Sequence, residues 1–220
     1  MISLNYDPFA TTFSDSRKDL KWAEIEYFFS KYLEEVQKPR TILDIWCWNW
    51  RLVTLLDEHK IEYSRYLWVD SSTILLDEAR KLHPDKEFTL MEMKDISSIT
   101  EKFNEAYFIA SFHHLQTIEE RLDILKKTYD LLEKWGYVFI TNWALESSIN
   151  YMKYMNSQIP WTENEYGSKD FKVKIWDYDR FYHSFDLKEL EYLFEKAWFA
   201  IVENREFENK KNIISVLKKV

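Results

Sequence analysis

Thr41-Ile42-Leu43-Asp44-Ile45-Trp46-Cys47-Trp48-Asn49-Trp50 is the stretch on which the reading of this chain turns. Residues 41–45 form a short apolar run with one acid near its end, the pattern of a buried strand. Residues 49–59 follow at once with helical spacing. A strand that turns this tightly into a helix calls for glycine, because only glycine takes positive φ freely and lets a ligand touch the backbone. Three tryptophans stand there instead, at alternate positions.

The whole composition carries the same oddity. The chain has 2 Gly and 10 Trp in 220 residues, whereas an average chain of this length holds roughly 15 Gly. Other tryptophans also sit where glycine is expected, among them Trp68 near a strand's end in Tyr66-Leu67-Trp68-Val69-Asp70. Trp135 precedes Gly136 at a helix end, and Trp198 follows Glu195-Lys196-Ala197 at another; both are places where a glycine stop fits. Trp161 and Trp176 are ambiguous, while Trp22 and Trp143 read as true tryptophans. The codon UGA is read as stop, tryptophan or glycine depending on the genetic code. A gene that uses UGA for glycine, translated with a table that reads it as tryptophan, gives this pattern. The alternative is a Trp-rich chain whose loop is plugged by indoles, and the codons at 46, 48 and 50 separate the two.

Outward from the loop, strands alternate with helices. Residues 15–37 read as an amphipathic helix that ends before Pro39. Strands are expected at 41–45, 65–69, 87–91, 106–110 and 137–141. Ser72 can cap a helix through Leu82, and Thr117-Ile118-Glu119-Glu120 is a capping box opening a helix to about residue 134. Residues 143–183 read as irregular and aromatic-rich. Asp186-Leu187-Lys188-Glu189 is a second capping box, with a helix to about Ala197, and residues 199–207 and 212–217 read as a closing hairpin. This order implies an α/β fold, a mostly parallel sheet with helices on both faces and an antiparallel edge. Ligands in such sheets bind at the carboxyl ends of the strands, at the switch point, so the 46–50 loop lies in the expected site. The chain reads as one domain over residues 1–220, with an N-terminal helical entry segment at 1–38 and a substrate-side insertion at 143–185.

Composition narrows the function classes. A single cysteine, Cys47, excludes an internal disulfide and suggests a reducing, cytoplasmic setting. No secretion signal and no membrane-length apolar run is read. The net charge of −8 argues against a broad nucleic-acid surface, although Lys169, Lys172, Lys174 and Arg180 form one local basic group and Lys210, Lys211, Lys218 and Lys219 another. Ordinary solvated lysines explain these groups equally well. No metal site is read.

With glycine at 46, 48 and 50 the loop becomes Ile-Leu-Asp-Ile-Gly-Cys-Gly-Asn-Gly-Arg-Leu. That resembles the methyl-donor loop of class I S-adenosylmethionine-dependent methyltransferases, a Rossmann-like fold with seven strands and the last reversed. The resemblance implies S-adenosyl-L-methionine as cofactor, held by Asp44, residues 46–50 (Trp46, Cys47, Trp48, Asn49, Trp50), Asp70, Ser71, Asp95, Ile96 and Ser111. Asp70 ends the second strand, 26 residues after Asp44, where an acid can accept from both ribose hydroxyls. Asp95 would meet the adenine amino group, Ile96 would flank the ring, and Ser111 and Phe112 would lie beside the transferred methyl. Singly, each acid reads as a helix cap or turn acid. A nicotinamide enzyme is the nearest rival, but Asp44 beside the loop would repel its diphosphate and suits a sulfonium and an ammonium.

Further segments narrow the resemblance. The stretch Tyr6-Asp7-Pro8-Phe9-Ala10-Thr11-Thr12-Phe13-Ser14-Asp15-Ser16-Arg17 is similar to the entry segment of wobble-uridine tRNA methyltransferases, which methylate the carboxylate of 5-carboxymethyluridine. Ser111-Phe112-His113-His114-Leu115, Asn142-Trp143-Ala144-Leu145-Glu146 and Arg180-Phe181-Tyr182-His183 resemble three more of that family's segments. This implies tRNA as partner, a small zinc-binding activator subunit as a second candidate partner, and an acceptor site of Arg17, Trp143, Arg180, Tyr182 and His183. His113, Arg180 and His183 are the candidate catalytic residues. A carboxylate acceptor is already anionic and needs no general base; a hydroxyl or amine acceptor would give that role to His113 or His183. The bland readings are a packed His113-His114 pair, surface ion pairs for Arg180 and His183, and a core Trp143. A small-molecule O- or N-methyltransferase on the same scaffold, or a non-catalytic module plugged by its tryptophans, remains the alternative.

Overall fold

The structure is a computed structural model and describes residues 22–46 and 50–220. Nine strands and five helices of eight or more residues are found among them. In chain order they are α1 (Ala23–Tyr32), β1 (Thr41–Ile45), α2 (Arg51–Glu58), β2 (Arg65–Asp70), α3 (Thr73–Leu82), β3 (Glu87–Leu90), β4 (Phe103–Ile109), α4 (Ile118–Leu131), β5 (Leu132–Trp143), β6 (Lys169–Ile175), β7 (Tyr178–Ser184), α5 (Leu187–Lys196), β8 (Ala200–Glu206) and β9 (Asn212–Lys218).

Seven strands form one sheet in the order β3-β2-β1-β4-β5-β9-β8. The first five are mutually parallel, and β9 runs against both of its neighbours. This is the expected mostly parallel sheet with a reversed last strand. Alternation along the strands explains how it is covered on both faces. Ala106, Phe108, Val138 and Ile140 point to the side packed by Ile124 and Leu125 of α4 and Leu190 of α5. Tyr107, Tyr137 and Phe139 point to the other, against Phe28 of α1 and Leu52 and Val53 of α2.

The helix starts follow the sequence chemistry. Ser72 Oγ accepts from the Leu75 N–H at 3.2 Å, and Thr117 forms the full capping box with Glu120. The Asp186 box differs. Asp186 caps the Lys188 N–H, but the Glu189 carboxylate turns away into a buried ion pair with Arg121 at 2.9 Å. A charge-assisted bond inside the fold outweighs the backbone bond the box would give.

The largest departure lies in the segment expected to be irregular. Residues 169–184 form the antiparallel hairpin β6–β7, with Ile175 opposite Tyr178. Phe171, Val173 and Tyr182 are buried there around Leu145. No helix among the described residues is long and apolar enough to cross a membrane.

Candidate active site

The sheet order reverses between β1 and β4, so the crevice beyond their carboxyl ends is the geometric ligand site. Asp44 and Asp70 stand there, both buried. Asp44 Oδ2 accepts from the Tyr66 hydroxyl at 2.7 Å, and its Oδ1 has no hydrogen-bond partner among the described residues. Burial pushes the Asp44 carboxyl up to about 7, against the Tyr66 hydrogen bond and with help from the Asp70 charge. Asp70 Oδ1 accepts from the Ser72 N–H at 2.8 Å. The crevice is therefore a buried acidic place suited to a cation. Ser111 is buried and its hydroxyl donates to the Ile45 carbonyl at 3.0 Å. Ile96 is buried, Asp95 is exposed on the turn before it, and Ser71 is half-buried.

Trp46 and Trp50 stand in the loop that follows β1, Trp46 packed in one core cluster and Trp50 against the other. Trp46 is buried among Ile45, Phe112 and their neighbours, with its indole 6.3 Å from the His114 ring. Its Nε1 is buried without a hydrogen-bond partner. Trp50 is the N-terminal cap of α2, with φ of 43°. Cys47, Trp48, Asn49 and Arg17 lie outside the described residues.

The acceptor side gathers four of the expected residues. His113 and His114 follow β4, and their rings are 4.4 Å apart. The Trp143 N–H donates to His113 Nδ1 at 3.2 Å, which places the ring proton on Nε2. That Nε2 is buried without a hydrogen-bond partner among the described residues. Burial, with the neighbouring His114, holds the His113 pKa well below its ordinary value, so the ring is neutral. His114 Nδ1 donates to the Phe181 carbonyl at 2.8 Å, and its Nε2 accepts from Arg180 at 3.1 Å. Burial lowers His114 to about 4 and Arg180 to about 10. Tyr182 stacks on Trp143 with centroids 4.9 Å apart and planes 15° apart, and Arg180 sits 5.6 Å from the Tyr182 ring centre.

His183 is placed differently from the other candidates. Its Nδ1 lies 2.6 Å from Asp170 and its Nε2 2.8 Å from Glu189. Both ring nitrogens face carboxylates, so neither is left to take a proton from an acceptor. Burial works to raise the Glu189 pKa, but hydrogen bonds from His183 and Ser168 and the Arg121 charge overcome it and hold it at about 2. Asn164 Nδ2 adds a bond at 2.7 Å. This network joins β6, β7, α4 and α5. Sequence reading missed Arg121 and Glu189 as its centre. Both stand near helix starts in segments that resemble the family's, but Glu189 reads as a capping-box acid and nothing local to either residue shows that the two meet across 68 positions.

Comparison with known proteins agrees with this geometry. No family model matches the chain. It is 26% identical, over 215 residues, to a tRNA (carboxymethyluridine(34)-5-O)-methyltransferase of Schizosaccharomyces pombe, covering 90% of this chain and 88% of that one. Its fold is similar to an S-adenosylmethionine-dependent methyltransferase from Clostridium acetobutylicum (TM-score 0.69, 13% identity, 97% and 98% of the two chains). It is also similar to an amino pentose methyltransferase from Micromonospora echinaspora solved with S-adenosylmethionine bound (TM-score 0.66, 10% identity, 100% of both chains). The fold is that of the class I methyltransferases.

Proposed function

We propose that this protein is an S-adenosylmethionine-dependent methyltransferase that acts on a carboxylate of a modified wobble uridine in tRNA. The observation that carries the reading is a juxtaposition. A buried acidic crevice at the switch point lies beside a buried arginine, two neutral histidines and a Tyr–Trp stack. The first half suits a cationic donor and the second an anionic, planar acceptor. The relative from Schizosaccharomyces pombe supports the choice of acceptor.

The donor side does not fit as the chain stands. Asp44, Asp70 and Ile96 suit the group, but a buried tryptophan with positive φ stands at 46, where a loop that lets a ligand approach its backbone calls for glycine. The acceptor side can be described on its own residues. Arg180 supplies a fixed positive charge with a planar set of donors that matches a carboxylate. His114 locks that guanidinium from one side while Tyr182 lies against its face. His113 presents an Nε2–H at the carboxyl end of β4 and can donate to an acceptor oxygen. An ionised carboxylate has no proton to lose, so orientation and proximity rather than base catalysis are what these residues provide. His183 acts as a positioning residue, tying the hairpin that carries Arg180 and Tyr182 to α5.

The test uses protein purified from its own source, supplied with labelled donor and either total tRNA or a small-molecule extract. Label in tRNA that is released by mild base, as a methyl ester is, supports the reading. Label only in small molecules would move the acceptor to a metabolite, and label in neither would reject the function.

A further inference from the structure

The backbone at several tryptophans is one that tryptophan rarely takes. Among the described residues nine non-glycine residues have positive φ, and six of them are Trp46 (56°), Trp50 (43°), Trp135 (70°), Trp161 (64°), Trp176 (51°) and Trp198 (67°). For a bulky residue this region is an outlier, and each instance is strained. One such tryptophan could serve a site. Six of the nine described tryptophans sharing the property is a pattern of the chain.

Three of the six stand in turns whose backbone calls for glycine. Trp198 follows the last turn of α5. Its N–H donates to the Glu195 carbonyl at 3.0 Å, and the Phe199 N–H donates to the Phe194 carbonyl at 3.1 Å. That is the Schellman ending, with Trp198 in the position usually held by glycine. Trp176 is the first of the two loop residues between Ile175 and Tyr178, and Asp177 does not share its positive φ. A two-residue hairpin loop of that kind is a type II′ turn, with glycine first. Trp161 follows Pro160 in a turn closed by the Thr162 hydroxyl donating to the Ile159 carbonyl at 2.8 Å. Proline and then a positive-φ residue is the type II pattern, again a glycine position. Trp135, Trp161, Trp176 and Trp198 are all exposed, and none belongs to a core cluster, although the Trp198 ring meets Tyr129 edge-on at 5.7 Å.

The remaining tryptophans behave in the opposite way. Trp22, Trp68 and Trp143 have ordinary φ. Trp143 stacks on Tyr182, and Trp68 is fully buried with Phe88 4.6 Å away. Backbone geometry therefore sorts the tryptophans into two sets. It places Trp161 and Trp176, ambiguous in the sequence, in the glycine set and gives no support for adding Trp68.

We infer that the working protein carries glycine at 46, 50, 135, 161, 176 and 198, its gene specifying these residues by UGA codons read as glycine. The inference rests on the proposed function only for the loop. There, glycine at 46 and 50 would relieve the positive-φ backbone and let the donor approach it beside Asp44. Positions 135, 161, 176 and 198 argue from folding alone.

The deciding experiment is peptide mass spectrometry of the protein isolated from its own source. Peptides lighter by a tryptophan-to-glycine difference at the six positions, with tryptophan kept at 22 and 143, are expected. Tryptophan at the six, or UGG codons there, would overturn the inference. A stability measurement supplies a second arm. In the recombinant tryptophan chain, glycine at 135, 161, 176 and 198 together should raise Tm by roughly 5–10 °C, whereas Trp143→Gly should lower it. An unchanged or lower Tm for the fourfold variant would count against the inference. Glycine-bearing peptides from a protein that transfers no methyl group would leave the inference standing and sink only the proposed function.

Discussion

Asp44 shows most plainly what burial does to a single residue in this protein. Its folded pKa, about 7, lies above the ordinary 3.8. The folded state therefore holds a proton that the unfolded chain has released, and stability falls as pH rises from about 4 to 7. Asp44→Asn keeps an acceptor for Tyr66 and removes this dependence. It should make the chain more stable at pH 8 by about 3–4 kcal/mol, with the gain vanishing near pH 4. Urea unfolding at a series of pH values would measure it, and parallel curves for the two proteins would refute the assignment. His114 has the opposite sign. Lowered to about 4 from 6.5, it stays neutral when folded, so stability is lost as pH falls through that window. Arg180→Ala is expected to cut methyl transfer by about 100-fold or more while leaving donor affinity within about twofold. Arg180→Lys should not restore the rate, because an ammonium lacks the planar fork. Equal loss of donor affinity and rate would remove Arg180 from the acceptor side.

At the scale of elements, the β6–β7 hairpin is held to the body by buried charge. His183 lies between Asp170 and Glu189, and Arg121 meets Glu189 from α4. Removing one member leaves the others buried without compensation. Glu189→Ala is expected to cost about 3–5 kcal/mol, measured by chemical denaturation; a loss under about 0.5 kcal/mol would show that the network is incidental. The β-strands and helices outside this hairpin were legible because their apolar periods and caps are local signals. The hairpin was not, although Phe171, Val173 and Ile175 alternate with Lys172 and Lys174. Its turn reads Trp176-Asp177, and the ordinary signal at that place is glycine followed by an acid. The residue that hides the turn is one of the six with positive φ. The surroundings of His183 were hidden for a different reason: its carboxylate partners are 13 residues before it and 6 after it, and spacing alone does not show that both ring nitrogens are engaged.

For the whole molecule, the sheet order brings acids from β1 and β2 and histidines after β4 to one edge, and the hairpin folds Arg180 and Tyr182 over it. The acids and the His-His pair could be placed from the sequence because each follows a strand end. Their partners could not, since the Tyr66–Asp44 and Arg180–His114 contacts join distant segments. The proposed methyl-donor site is the crevice at the carboxyl ends of β1 and β4, where tryptophan stands in place of glycine at 46 and 50. Titration calorimetry with S-adenosylmethionine on two proteins tests it most directly, the tryptophan-bearing chain and the same chain with glycine at 46, 48 and 50. Micromolar binding by the glycine form and none by the other is expected. Binding of equal strength by the tryptophan-bearing chain, or by neither protein, would contradict it.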